Sequence, residues 1–217
     1  MKQETIKRIL SSIIIIPIAL FFIIKGSVYF IFFLIIFFLI TSYEWLKMTK
    51  DKMHSFLGVI FLLLTFYATY LLRGATLIEL KIFLFVLLVC VTTDIGGYTF
   101  GKIFKGPKLT KISPKKTYSG VIGGYFLSII CSNLYVNQYE VFIPILFVYH
   151  QPDIELLITV FLISSVSQLG DLLISYFKRL SKIKNTGKIL PGHGGLLDRV
   201  DGIIFAVPFA YFLFKLI

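Results

Sequence analysis

Apolar residues run along this chain in long unbroken stretches and do not alternate with polar ones. The stretches are 9–24, 28–46, 56–72, 80–100, 121–136, 154–177 and 202–216. Each approaches the roughly 20 residues that a helix needs to cross a hydrocarbon layer. A barrel strand would instead alternate with period two over about 10 residues, so the pattern predicts helices. An eighth stretch, 141–148, is too short, because at about 1.5 Å rise per residue it cannot cross roughly 30 Å. Pro144 and Pro152 also discourage a long helix there, and it reads as a surface or re-entrant segment. The expected fold is all-α, a polytopic integral membrane protein of about seven transmembrane helices with two basic loops.

Composition agrees with this. Of the 217 residues, 57% are apolar or aromatic, against about 45–50% in a soluble domain. Lys2, Lys7 and Arg8 precede the first stretch, as in a signal peptide. That run ends in Ile24-Lys25-Gly26 with no small-residue cleavage site, so it reads as an uncleaved first helix. Cys90 and Cys131 lie inside apolar runs without metal-ligand spacing, and packing is their expected role.

The net charge of +11 could suggest nucleic acid. The positions of the charges argue otherwise. With the amino terminus inside, segments 1–8, 47–55, 101–120 and 178–201 share one face. They carry all of the 22 Lys and Arg except Lys25, Arg73, Lys81 and Lys215. That asymmetry is the positive-inside rule, so the charge belongs to topology and to a phosphate-rich cytoplasmic ligand or surface. Tyr43 and Trp45 suit an interfacial belt. Glu44 and Asp51 beside them read as plainly solvated, and His54 and His150 as incidental.

Two carboxylates fall within apolar helices. Asp94 and Asp171 each sit near the basic end of a run, where an ionised group must be paired, hydrated or metal-bound. Ser164, Ser167, Gln168, Asp171 and Ser175 recur at three- and four-residue spacing, one polar stripe that leads into Lys178-Arg179. Gly97 and Gly101 form a Gly-x-x-x-Gly pair that permits close helix packing. The stretch 175–201 is the densest in chemistry. It has Lys178, Arg179, Lys182, Lys184 and Lys188, then Pro191-Gly192-His193-Gly194-Gly195, then Asp198-Arg199-Val200-Asp201. Cations suit phosphate oxygens, and glycines admit a ligand close to the backbone. Aspartates three apart share a helical face that can hold a divalent cation. With Asp171 they make an expected metal-ligand set.

Ser175, Lys178-Arg179, Lys184, Gly187, Pro191, His193-Gly194-Gly195, Asp198-Arg199 and Asp201 resemble the signature of the bacterial and eukaryotic phosphatidate cytidylyltransferases, the CDP-diacylglycerol synthases. Asp94-Ile95-Gly96-Gly97-Tyr98, followed by Ser113-Pro114-Lys115-Lys116-Thr117 and Ser119-Gly120, is similar to a second pattern of that family. The resemblance covers 94–201. It implies a catalytic region, 94–217, behind amino-terminal helices, 1–93, that carry no motif. It also implies transfer of a cytidylyl group from CTP to phosphatidate with release of pyrophosphate, and a magnesium ion, with room for a second cation. The metal would lie on Asp171, Asp198 and Asp201, with His193 joining them as a catalytic residue. Substrate would meet Ser113, Lys115, Lys116, Thr117, Lys178, Arg179, Lys184, Gly194, Gly195 and Arg199. Thr117 and Ser119 precede the next helix and can cap it, turning backbone N–H groups toward an anion.

The expected partners are CTP, phosphatidate and the bilayer, with no nucleic acid and a homodimer left open. The expected place is a bacterial-type inner membrane, multi-pass, with the amino terminus and both site loops cytoplasmic. Two other classes remain at this point: a CTP-dependent polyprenol kinase, and a transporter of a phosphorylated solute. Lys184-Asn185 departs from the family's usual Lys-Asp. We expect Asn185→Asp to keep or raise the conversion of labelled CTP to a lipid-soluble product. A strong loss would give Asn185 a specific role.

Overall fold

A computed structural model describes residues 2–49, 52–110, 112–139, 152–187, 189 and 194–215. They form α1 (Lys2–Lys25), α2 (Ser27–Met48), α3 (Lys52–Arg73), α4 (Leu77–Phe104), α5 (Tyr118–Tyr139), α6 (Pro152–Leu180), the single turn α7 (Leu197–Val200) and α8 (Ile203–Lys215). Each long apolar run has become one helix, and all but the last are extended by a few residues at their ends. Stretch 141–148 lies outside the described residues. The chain is an all-α, multi-pass membrane protein. Among the described residues, α2, α5, 53–73 of α3 and 154–180 of α6 are long and apolar enough to cross a membrane, and the apolar parts of α1 and α8 are shorter.

The core gathers Phe30 from α2, Phe85, Val86, Val89 and Cys90 from α4, Val160 and Ile163 from α6, and Ala206, Val207 and Ala210 from α8. α4 is thus central, and position 94 lies within it. The outward faces stay apolar, with Phe32, Leu39, Leu63, Leu64, Ile122 and Phe126 all exposed. Water would disfavour so much exposed hydrocarbon, whereas lipid accepts it. At the end of the bundle away from the basic loops, polar side chains tie helix termini together. Arg73 is buried and donates to the carbonyls of Ile23, Ile24 and Gly74. Lys81 donates to the Tyr139 carbonyl, and Lys215 pairs with Glu79. Three of the four basic residues at that end therefore fasten the fold.

α4 and α5 pack most closely, and glycine is the reason. A Cβ on Gly96 would stand 2.3 Å from the Gly123 carbonyl oxygen, and one on Gly120 would stand 2.7 Å from the Gly97 carbonyl oxygen. The Gly97–Gly101 pair expected from spacing is half of this contact, and Gly96, Gly120, Gly123 and Gly124 complete it. Backbone cannot yield as a side chain can, so Gly96→Ala forces the helices apart. Such overpacking costs about 1–3 kcal/mol. At Gly97 the nearest atom would be 3.7 Å away, an ordinary contact. We expect Gly96→Ala to lower the unfolding midpoint in detergent and Gly97→Ala to leave it nearly unchanged.

Candidate functional site

The helix ends on the basic side enclose a cavity of about 310 Å³. Asp94, Gly97 and Tyr98 of α4 line it. So do Gly120 and Val121 of α5, Gln168 and Asp171 of α6, and Ser113, Lys115, Lys116 and Thr117 of the loop between α4 and α5. That loop folds back on itself. Leu109 N–H donates to the Lys116 carbonyl, and Lys116 N–H donates to Ser113 O, closing a turn over Pro114-Lys115. The Thr117 hydroxyl accepts from Gly120 N–H at 3.1 Å, so it caps α5 as expected. The Ser119 hydroxyl is bonded to the Lys105 carbonyl and secures the loop's entry.

Of the polar stripe on α6, Gln168 and Asp171 face this chamber, while the serines turn into helix contacts. Thr93 of α4 donates its hydroxyl hydrogen to Ser164 at 2.8 Å, and Gln168 donates to the same oxygen at 3.4 Å. Asp171 accepts from Ser175 at 3.4 Å and is ion-paired with Lys116. Asp94 lies within electrostatic reach of Asp171, Lys116 and Arg199. Four segments, α4, the loop after it, α6 and α7, thus contribute charge to one place. Ser167 packs where a Cβ on Gly202 would come within 2.5 Å of its hydroxyl oxygen, and this close approach seats α8 against α6.

Beside the cavity, Lys178 is buried and bridges two aspartates. Its ammonium is 3.0 Å from Asp198 Oδ1 and 3.8 Å from Asp201 Oδ2. The second oxygen of Asp198 accepts from Thr186 N–H at 2.8 Å and from Gly195 N–H at 3.0 Å. Asp198 therefore fastens the signature loop. Gly194 has a φ of +91, and a Cβ there would sit 2.8 Å from Asp198 Oδ2, so both conformation and space call for glycine. Arg179 donates to the carbonyls of Ile112 and Ile183, which ties the two basic loops together. Lys184, Asn185 and Arg199 are exposed. His193 lies outside the described residues, as does Asp51.

Of the three expected metal ligands, Asp171 and Asp201 lie within electrostatic reach of each other. Burial raises the Asp201 carboxyl well above the usual carboxylate range. The Asp171 charge adds to the rise, and Lys178 opposes it. Two neighbouring carboxyls, one of them deeply buried, offer hard oxygen donors of the kind a divalent cation takes. Asp198 is engaged by its loop contacts. Among the described residues, no three His, Cys, Asp or Glu side chains are gathered as a metal cluster.

Glu44 contradicts the solvated reading. It is 1% exposed, and its carboxylate accepts from the Thr186 hydroxyl, Leu196 N–H and Leu197 N–H at 3.1, 3.0 and 2.8 Å. A lone acid beside interfacial aromatics carries no local sign of this, because its partners lie some 140–150 positions away.

Comparison with known proteins gives one family match and three relatives. A model of the cytidylyltransferase family matches residues 6–81 and 60–217. A phosphatidate cytidylyltransferase of Rickettsia felis is 34% identical over 223 residues, covering 98% of this chain and 93% of its own length. One of Rickettsia bellii is 35% identical, covering 98% and 91%. One of Bacillus subtilis is 42% identical over 136 residues, covering 61% and 48%.

Removing Lys178 would leave two buried carboxylates without their cation, and breaking a buried pair in this way costs about 3–5 kcal/mol. We expect Lys178→Met to lower stability in detergent by that order. Lys184→Met, at an exposed site, should change it by less than about 0.5 kcal/mol. Paired unfolding curves of the two variants check this.

Proposed function

The chain belongs to the cytidylyltransferase family, and we propose on that footing that it is a phosphatidate cytidylyltransferase. It converts CTP and phosphatidate to CDP-diacylglycerol and pyrophosphate in phospholipid synthesis. The cavity supports this reading. A chamber lined by Ser113, Lys115, Lys116, Thr117, Asp94 and Asp171 opens at one end of a bundle whose outward faces are apolar. A phosphorylated head group can enter such a site while acyl chains stay in lipid.

An oxygen of the phosphatidate phosphate bonds to the α-phosphorus of CTP. The bond from that phosphorus to the bridging oxygen of the β-phosphate breaks, and pyrophosphate leaves with the electron pair. The attacking group is a phosphate monoester with a second pKa near 6. It is already largely ionised, so no strong general base is required. What remains is to hold two anions together and to spread the charge that develops on the leaving group. Lys115 and Lys116 sit on the cavity wall for that task, with Arg199 within electrostatic reach of Asp94. Lys178 keeps its place between Asp198 and Asp201.

Asp171 and Asp201 are the side chains best suited to hold magnesium, with Asp198 beside them. The bound ion would supply Lewis-acid charge to phosphate oxygens. We place the site loops on the cytoplasmic face of the bacterial inner membrane, because all but four of the 22 basic residues lie on that side in the seven-crossing arrangement.

The test is purified protein in detergent micelles containing phosphatidate, with labelled CTP and magnesium. We expect equal amounts of CDP-lipid and pyrophosphate, and a fall of about 100-fold or more in kcat for Asp171→Asn, the size seen when one preorganised electrostatic group is lost. Lipid phosphate with CDP as products from a polyprenol would mark a kinase instead. Solute flux in liposomes without nucleotide turnover would mark a transporter.

A further inference from the structure

Glu44 lies on α2, remote in sequence from every motif, yet it reaches the centre of the signature loop. The loop is held from two sides by two carboxylates. Asp198 takes the backbone N–H of Thr186 and of Gly195. Glu44 takes the hydroxyl of the same Thr186 and the next two backbone N–H groups, those of Leu196 and Leu197. Thr186 is thus gripped at both ends, and three successive amides are divided between two acids. Thr186, Leu196 and Leu197 are all buried. Gly187 and Gly195 close over the Glu44 carboxylate. A Cβ on Gly187 would be 2.5 Å from one of its oxygens, and a Cβ on Gly195 would be 2.5 Å from the other. These two glycines make room for an acid supplied from elsewhere in the chain. The helix that carries it is fixed too. The neighbouring Trp45 packs on Phe177 of α6 and donates to carbonyls at the start of α3.

We infer that Glu44 is a positioning residue for the transfer reaction. By holding Thr186 against the Gly195–Leu197 turn, it sets where α7 begins, and so where Asp198 and Asp201 meet Lys178. This rests on the proposed cytidylyl transfer. Glu44 touches none of the residues that line the cavity through the loop between α4 and α5, so CTP binding there is expected to survive its loss. An amide at position 44 keeps one acceptor oxygen and turns an NH₂ toward a backbone N–H. At least one donor in the loop is then unmatched.

The experiment compares wild type, Glu44→Gln, Thr186→Val and the double variant, all as full-length protein in detergent. One readout is steady-state kinetics with CTP and phosphatidate. The other is hydrogen exchange of peptides covering 194–200 and, separately, the α4–α5 contact. Loss of one or two hydrogen bonds to a charged group corresponds to about 10- to 100-fold. We expect kcat to fall by that factor in Glu44→Gln, with KM for CTP within about twofold. Exchange should speed up in 194–200 and stay unchanged in α4–α5. Thr186→Val should show the same pattern at smaller size, and the double variant should be little worse than Glu44→Gln alone, because both act through one contact.

Near-wild-type kcat with unchanged exchange would overturn the inference. So would faster exchange throughout the bundle, which would mark a purely structural role, or a loss confined to KM. If Glu44→Gln does not accumulate, Thr186→Val alone decides by the same two readouts. If wild type makes no CDP-lipid, the proposed reaction fails, while the exchange comparison still shows whether Glu44 holds the loop.

Discussion

Lys178 is a single buried cation between two aspartates, at 3.0 Å from Asp198 and 3.8 Å from Asp201. The rest of the site is placed around it. A charged group with so little water persists only if its partners are close and their remaining lone pairs are satisfied. Here they are. Asp198 gives its second oxygen to two backbone amides, and Asp201 accepts from Gly202 N–H at 3.0 Å and lies within electrostatic reach of Asp171. Asp171 in turn meets Lys116 from the other basic loop. One chain of opposite charges therefore runs from the end of α6, through the turn around α7, to the loop after α4.

The helices serve this arrangement by controlling distance. Glycines let α4 and α5 touch backbone to backbone, which brings Asp94 and the Ser113–Thr117 turn to one wall of the cavity. The Thr93–Ser164 hydrogen bond ties α4 to α6 in the apolar interior, where unmatched hydroxyls would be costly. At the far end of the bundle, Arg73, Lys81 and Lys215 occupy helix-terminal carbonyls and a carboxylate. The same bundle is thus fastened by ionic contacts at both ends and by packing in between.

Much of this was legible in the residues. Long apolar runs demand helices because a backbone in lipid must satisfy its own hydrogen bonds, and each run became one helix. Thr117 caps α5 as its position before a glycine-rich start implied. Asp171 and Asp201 lie within electrostatic reach of each other, although no spacing along the chain joins them. Asp198 was expected to bind metal, and it holds the signature loop. Its three-residue spacing from Asp201 is plain in the sequence, but spacing does not show which backbone amides turn toward it. Glu44 was misread because local surroundings, two aromatics and a helix end, also describe a residue at a membrane surface.

The sequence by itself determined the helices, the charge asymmetry between the two ends and the family's two motifs, because these depend on composition and short-range spacing. Tertiary structure alone decided that an acid on α2 would close over residues some 150 positions later, and that Lys178 would stand between Asp198 and Asp201. The physical reason is that a buried carboxylate is stable only where enough donors converge on it. Which donors converge is a property of how helices pack, and no periodicity along the chain records it.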